Sequence, residues 1–572
     1  MKNQEVADIL YKIADYLELQ EEIVFKIVAY RRAAQNIESL SKDIAEIYKN
    51  KGIDGLMDLS GVGKDIALKI EEIIKTGKLK YLEELKKRIP IDAESLMNIE
   101  GLGPKRINIL YKKLGIKNLK ELESAARKNK IRNIPGFGAK VEDNILKGIG
   151  FSRDIKKRFI LGYVWPDILM LENKLKELKE VERVEVCGSA RRRKETIGDL
   201  DILVISRKPE NVINYFVSFD SVKRVIAKGS TKSTVILKNE MQVDLRVLPK
   251  ESFGAAMQYF IGNKEHNIKL RKIAISKGYK LSEYGLFKRK KIIAADDERK
   301  IYRALGLDYV EAEMRENTSE IETAKKHRLP KLVELNDIKG DTHMHTKQTD
   351  GVNTMEEMIE KAMSLGRKYI VISDHTKSLG IANGLNERQL LKQAEVIEKM
   401  NKKYSGKIKI LSGCEVNIIG NGNPDINNFV LKKLDVVTAS VHSGLRQDEE
   451  KITKRIIAAM ENENVDIIGH PTGRIIQKRE AYAVNMDKMF EKAKKTGTCL
   501  EIDSFPTRLD LKDIYIKEAV NRKVKLVISS DAHHISHQEF ILFGVWQARR
   551  GWAEAKNIIN TFPLEKFRKN LK

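Results

Sequence analysis

The run Cys187-Gly-Ser-Ala-Arg-Arg-Arg-Lys-Glu-Thr-Ile-Gly-Asp-Leu-Asp-Ile-Leu203 brings a small-residue turn, a cluster of cations and two alternating carboxylates into one short segment. Asp199-Leu-Asp201 continues into apolar, β-branched residues, and the side-chain period of two in a strand puts both carboxylates on one face. Such a pair repels unless cations neutralise it. A second strand-like run, Gln242-Val-Asp-Leu-Arg-Val-Leu248, offers a third carboxylate, Asp244. Together the three make a cage for two divalent ions, able to clamp the attacking and leaving oxygens of a phosphoryl displacement. Upstream, an apolar strand at 184–186 runs into Gly188-Ser189, where main-chain N–H groups and a hydroxyl can approach phosphate, with Arg191, Arg192 and Arg193 close behind.

Outward from this run, the formal charge of +25, from 106 Lys and Arg against 81 Asp and Glu, is what a phosphate backbone selects through counterion release. Lysine-rich thermophilic or ribosome-associated proteins share such a charge. At 572 residues the chain exceeds one hydrophobic core, so roughly three or four domains are expected. Cys187, Cys414 and Cys499 lie far apart, with no zinc-ribbon or disulfide spacing, as suits a reducing cytosol. Charges interrupt every apolar stretch well short of a membrane span, and no secretory h-region opens the chain. The expectation is a soluble cytoplasmic monomer without membrane contact.

One short pattern occurs three times before residue 150: Leu59-Ser-Gly61-Val-Gly63, Ile99-Glu-Gly101-Leu-Gly103 and Ile134-Pro-Gly136-Phe-Gly138, each followed by a helical apolar period. A tight glycine turn feeding a helix start presents unpaired N–H groups to an anion. From 336 onward another arrangement repeats, a short β-branched run ending in a metal-type side chain. It yields His343, His345 and Asp350, then His375, Glu415, His442, His470, Asp531 and His533, with helical stretches between. Ligands at the carboxyl ends of parallel strands are the layout of a β/α barrel site. Nine N and O donors exceed the need of one zinc and suit two or three zinc or manganese ions.

The Gly-Ser, two-arginine, Gly-Asp-x-Asp run resembles the palm signature of family X nucleotidyltransferases, the polymerase beta group. The resemblance implies that Asp199 and Asp201 bind both magnesium or manganese ions and Asp244 the one activating a primer 3′-hydroxyl. It implies that Gly188, Ser189, Arg192 and Arg158 hold the triphosphate of an incoming dNTP. In Gln258-Tyr-Phe-Ile-Gly-Asn-Lys-Glu-His-Asn267, it gives Tyr259, Phe260 and Gly262 the nucleotide sugar and Asn267 the minor-groove edge of the nascent pair, with Arg271 on the template strand.

The triple glycine pattern resembles helix-hairpin-helix elements, which grip DNA backbone phosphate without reading bases. Phe25-Lys-Ile-Val-Ala-Tyr-Arg-Arg-Ala-Ala34 resembles the small N-terminal domain that holds the 5′-phosphate side of a gap. Lys69 then matches the lysine that forms a Schiff base in deoxyribose-phosphate lyases, with Lys26 as phosphate ligand and cationic neighbours such as Lys26 and Lys64 depressing its pKa.

His343-x-His345, Asp374-His375, His442, Gly469-His470-Pro471 and Asp531-Ala-His533 resemble the PHP (polymerase and histidinol phosphatase) superfamily with no ligand missing, and Arg474 is the expected phosphate clamp. The resemblance implies a metal-dependent 3′–5′ exonuclease joined to a gap-filling DNA polymerase of base excision repair, acting on gapped or primer-template DNA. The expected architecture is multidomain α+β and α/β: a lyase-like helical domain with the first hairpin at 1–90, further hairpins at 91–150, palm with fingers and thumb at 151–315, a linker at 316–335, and a distorted β/α barrel at 336–572. Where relatives carry Pro-Pro-Glu near the join, this chain has Val310-Glu-Ala-Glu-Met-Arg-Glu316. Two other classes remain open: a phosphatase or pyrophosphatase acting on small phosphoesters, and a non-catalytic gap-binding scaffold.

Overall fold

Alternation of buried apolar residues with outward polar ones builds the sheet that carries the aspartates. In the computed structural model, which describes residues 3–38, 43–59, 61–97, 99, 102–155 and 158–572, strand Asp199–Ile205 is an interior strand of a five-stranded sheet. It pairs antiparallel with Arg183–Val186 and parallel with Gln242–Leu248, and the sheet continues through Lys232–Leu237 to the edge strand Val222–Lys228. Helices Leu161–Lys176 and Pro209–Val217 bury Ile168, Leu171, Val212 and Phe216 in the same core as Leu200, Ile202 and Val243. Beyond the sheet come helices Phe253–Ile261 and Lys264–Ser276, the meander Lys280–Ser282, Gly285–Lys288 and Lys291–Ala294, and helix Glu298–Ala304.

The chain divides into two compact units, the first 157 residues and essentially everything after them. Among the described residues the first contains only helices, their amphipathic faces closing on one continuous apolar cluster from Val6 to Ile149. In the second, the C-terminal half contributes seven parallel strands in sequential order, from Gly340–Asp341 to Leu526–Ser529. These strands read as nearly unbroken β-branched runs because helices cover them, as a parallel sheet requires. A parallel bridge between Met344 and Ala532 ties the chain beyond the first strand to the chain beyond the last, so the sheet nearly closes into a barrel.

The 316–335 segment, expected to be a linker, carries helix Glu320–Lys325 with Glu320, Ile321 and Ala324 buried. Glu320 accepts from the buried His266 Nδ1 at 2.7 Å, so the segment is fastened to the helix Lys264–Ser276. Among the described residues no helix is long and apolar enough to cross a membrane.

Candidate active sites

Register places the palm aspartates. The parallel pairing of Asp199–Ile205 with Gln242–Leu248 sets Asp201 directly opposite Asp244. Strand Arg183–Val186 delivers the following turn onto the same carboxylates, where Cys187 N–H donates to Asp201 O at 2.8 Å. Gly188 has φ +58°, and a Cβ there would stand 2.1 Å from Asp201 Oδ2, so only glycine fits. Burial, then the like charges of Asp199 and Asp244, push the Asp201 carboxyl up to about 6. Thr234 Oγ1 and Gln242 Nε2 donate to Asp244 at 2.5 and 2.7 Å. Among the described residues these carboxylates do not join the groups whose ligand atoms all lie within 4.8 Å of one another.

A pocket of about 370 Å³ opens over them, lined by Gly188, Ser189, Arg192, Asp199 and Asp201 on the sheet side and by Tyr259, Phe260, Gly262, Asn267 and Arg271 opposite. Asp244 borders an adjoining cavity together with Asp201, Tyr259 and Phe260. Tyr259 and Phe260 meet edge to face at 5.1 Å. The Asn267 side chain is held by Gln258 Nε2 at 2.6 Å and donates to Tyr259 O at 2.8 Å, so Asn267 braces the aromatic pair from its buried side. Arg158 departs from its expected place: its guanidinium binds Thr196 Oγ1 and O at 2.9 and 2.6 Å, and it does not line the pocket.

At the carboxyl ends of the barrel strands the nine expected ligands converge. His345, Asp350, His375 and His533 form one group, His343, His345 and Glu415 a second, and His375, Glu415 and His442 a third, each with ligand atoms within 4.8 Å. His470 Nε2 lies 3.0 Å from Glu415 Oε1, and Asp531 Oδ1 lies 3.2 Å from His345 Nε2. Burial alone would raise Glu415, but the imidazoles of His442, His375 and His343 outweigh it and hold the carboxyl well below the usual carboxylate range. Burial, helped by the neighbouring His533 and His375, pushes His345 down to about 3 and keeps it a neutral donor.

His343 Nε2, His345 Nδ1, His375 Nδ1, His470 Nδ1 and Asp350 Oδ1 are buried without a hydrogen-bond partner, although His375 Nδ1 is 2.7 Å from Glu415 Oε2. Polar atoms that crowd together without bonding one another cost about 1–3 kcal/mol each unless something else satisfies them. A divalent cation would do so, and nitrogen and carboxylate donors without thiolate fit zinc or manganese.

Three residues of this site escaped the sequence reading. Glu501 Oε1 accepts from His343 Nδ1 at 2.7 Å, and Asn417 Oδ1 from His442 Nδ1 at 2.7 Å, fixing both rings so that Nε2 faces inward. The alternation Glu501-Ile-Asp503 on strand Cys499–Asp503 repeats the Asp199-Leu-Asp201 pattern and was the available signal. The third is Arg508. Arg474, the expected phosphate clamp, faces away: it binds Glu195 of the palm at 2.8 Å and donates to Arg508 O at 2.9 Å and to Leu509 O. Arg508 instead points inward, its Nε 3.5 Å from Asp531 Oδ2 and 3.4 Å from Asp503 Oδ2, its Nη1 buried without a partner.

In the N-terminal unit the glycine turns repeat one geometry. The N–H of Val62, Leu102 and Phe137 donates to the oxygen of Leu59, Ile99 and Ile134 at 3.1, 2.9 and 3.0 Å. Helices Lys64–Thr76 and Pro104–Leu114 start from Gly63 and Gly103 with nearly the same backbone and no side-chain cap, leaving first-turn N–H groups for an anion. In the third turn Gly138 has φ +59°, so its helix starts differently. Gly61 and Gly136 are also left-handed, and Gly101 lies outside the described residues.

Lys69 lines a cleft of about 280 Å³ with Tyr81 and Glu72. Its ammonium is 2.6 Å from Asp65 Oδ2 and lies over the Tyr81 ring at 4.8 Å. A carboxylate and an aromatic face therefore stand where cationic neighbours were expected. Lys26 pairs with Glu22 at 3.8 Å and lies 5.8 Å from the Tyr81 ring.

The geometry is that of a two-site phosphoryl-transfer protein, a nucleotidyltransferase palm carried with a PHP barrel. Residues 1–79 match the helix-hairpin-helix domain family, 93–150 the SAM-like helix-hairpin-helix tandem, 256–316 the DNA polymerase beta thumb and 341–504 the PHP domain. The "DNA polymerase/3′-5′ exonuclease PolX" of Bacillus subtilis (strain 168) is 37% identical over 569 residues, 99% of this chain and 98% of that protein. The barrel alone matches probable phosphatases of Thermoanaerobacter sp. (strain X514), 34% identical over 205 residues, and of Clostridium botulinum (strain Hall), 32% over 202, each covering 34% of this chain and 78% of the relative. The chain belongs to the PolX family, the family X DNA polymerases with a C-terminal PHP domain.

Proposed function

We propose that the protein fills short gaps in DNA during base excision repair and trims primer 3′ ends in its barrel. The observation that carries the polymerase half is the Asp201–Asp244 register beside a pocket whose two walls offer phosphate ligands and an aromatic pair. Asp199, Asp201 and Asp244 would hold magnesium or manganese, and the nine barrel ligands two or three zinc or manganese ions. Bound there, the cations neutralise charge on the transferring phosphorus and its oxygens. The chain's own residues do the rest. Ser189 and Arg192 bind the triphosphate, Tyr259 and Phe260 pack against the sugar, and Arg271 faces the template. In the barrel, Glu501 and Asn417 orient His343 and His442, and Arg508, rather than Arg474, takes a phosphate oxygen through Nη1.

The two sites should separate by mutation. Asp201→Ala should abolish nucleotide addition on a gapped primer while leaving 3′ degradation within about twofold, and His343→Ala should do the reverse, each loss being at least about 10³-fold. A D201A protein that extends normally removes the palm assignment.

The barrel relatives called probable phosphatases favour one second reading, hydrolysis of small phosphomonoesters. A barrel that releases phosphate from free phosphomonoesters and leaves 3′ ends intact would establish it. In the N-terminal cleft, Lys69 is the amine that condenses with the C1′ aldehyde of an incised abasic sugar, losing water to form a Schiff base. Borohydride should trap that adduct in the native chain and not in Lys69→Ala.

A further inference from the structure

The turn that carries Arg192 is held by a barrel helix. Arg550 ends the barrel helix Ile541–Arg550, and its side chain is 3% exposed. Its Nη1 donates to the main-chain oxygen of Arg192 at 2.8 Å and to Glu316 Oε1 at 3.3 Å, while Nη2 binds Asp513. The same Glu316 oxygen accepts from Arg192 Nε at 3.0 Å, and the other oxygen pairs with Lys194 Nζ at 3.0 Å. Arg192 Nη1 donates to Ile261 O, across the pocket from the sheet. Arg192 Nη2 takes no partner among the described residues, and Arg192 lines the pocket. One residue on, the Arg193 guanidinium lies 4.5 Å from the Trp165 ring and 4.0 Å from that of Trp546, on the same barrel helix.

A guanidinium is planar and rigid, so fixing Nε and Nη1 fixes the direction of Nη2. Glu316 is the joint: it carries three cations at once, Arg192, Lys194 and Arg550, and Arg550 is not among the residues that line the pocket. We infer that Arg550 is a positioning residue for nucleotide binding, acting through Glu316 and the main chain of Arg192 to aim the free Nη2 at the triphosphate. The PHP helix is thereby part of the polymerase site. This rests on the reading of the palm pocket as the nucleotide site.

The test uses the full-length chain on a one-nucleotide gapped duplex. Single-turnover titration gives the dNTP dissociation constant and the maximal insertion rate, alongside 3′ exonuclease rate and melting temperature. Arg550→Met should raise the dNTP constant about tenfold, the size expected for losing hydrogen bonds to a charged group. Insertion rate should stay within about threefold and exonuclease within about twofold, and Arg550→Lys should recover part of the affinity, since Lys offers a charge but no fork. If R550M does not fold, Glu316→Ala must show the same rise, and Glu316→Gln a smaller one because its amide oxygen still accepts Arg192 Nε. Wild-type dNTP affinity in the folded variant overturns the proposal, as does an equal fall in insertion, exonuclease and melting temperature, which marks a purely structural role. A native chain that inserts no nucleotide at all overturns the palm reading itself.

Discussion

Arg474 and Arg508 pose the residue-scale problem in its simplest form: two arginines on neighbouring loops of one barrel, one turned outward to Glu195 and one inward to Asp531. An inward arginine with a buried, unpartnered Nη1 is poised for an anion. Arg508→Met should therefore slow 3′ degradation about 10–100-fold in single-turnover assays, with nucleotide addition unchanged. Sequence could not separate the two, because loop direction is set by tertiary partners such as Glu195, 279 residues away in the chain. The histidines were legible because each stands at a strand end. Asp201 carries a pH prediction. Its folded pKa, about 6, lies above the ordinary 3.8 through burial and its neighbours Asp199 and Asp244. The folded metal-free protein thus binds the proton more tightly than the unfolded chain, so this contribution to stability is full below about pH 4 and is lost as pH rises through 6. In chelator, the melting temperature of the native chain should fall between pH 4.5 and 7 relative to Asp201→Asn, by on the order of 2 °C. Parallel curves for the two proteins would refute it.

Among elements, the hairpins show how far a repeated motif predicts geometry. All three share the hydrophobe-x-Gly-hydrophobe-Gly spelling and the same turn hydrogen bond, and that much was readable. The helix start was not. Gly63 and Gly103 are extended at φ −82° and −78°, whereas Gly138 is left-handed, and only the backbone distinguishes them. A carboxylate at Gly103 separates anion binding from folding. No atom lies within 4 Å of a Cβ there, and an aspartate at a helix N-cap stabilises, so Gly103→Asp should keep or raise the melting temperature. The same charge competes with phosphate for the first-turn N–H groups, and affinity for gapped duplex at fixed salt should drop about tenfold by fluorescence anisotropy. Gly138→Asp, forced into φ +59°, should instead lose stability. If G103D binds DNA as tightly as the native chain, the second hairpin does not grip phosphate.

For the molecule as a whole, the boundary between palm and barrel visible in sequence is not a boundary in packing. One apolar cluster joins Ile168, Leu171 and Leu200 of the palm to Leu509, Phe543 and Trp546 of the barrel. A Cβ on Gly162 would stand 2.7 Å from Pro506, so helix Leu161–Lys176 lies directly against a barrel loop. Trp165 and Trp546 meet edge to face at 4.8 Å, and the charged pairs Arg474–Glu195 and Arg549–Glu313 also join barrel residues to the preceding half. Composition shifts and a proline in the 316–335 segment suggest a tether, because a linker and a packed strap use the same polar residues; the half-buried Glu316 among cations and the buried Glu320 against an imidazole make the difference. Palm and barrel sharing a core should unfold together. Heating should inactivate nucleotide addition and exonuclease with one midpoint, and Trp546→Ala, opening a cavity worth about 3–5 kcal/mol, should lower both midpoints equally. A chain ending at 335 would expose the palm side of that core and should aggregate rather than polymerise. Two domains merely strung together predict the opposite, separate midpoints with W546A moving one of them, and calorimetry of the full chain distinguishes the two cases because a shared core gives a single cooperative transition for residues 158–572.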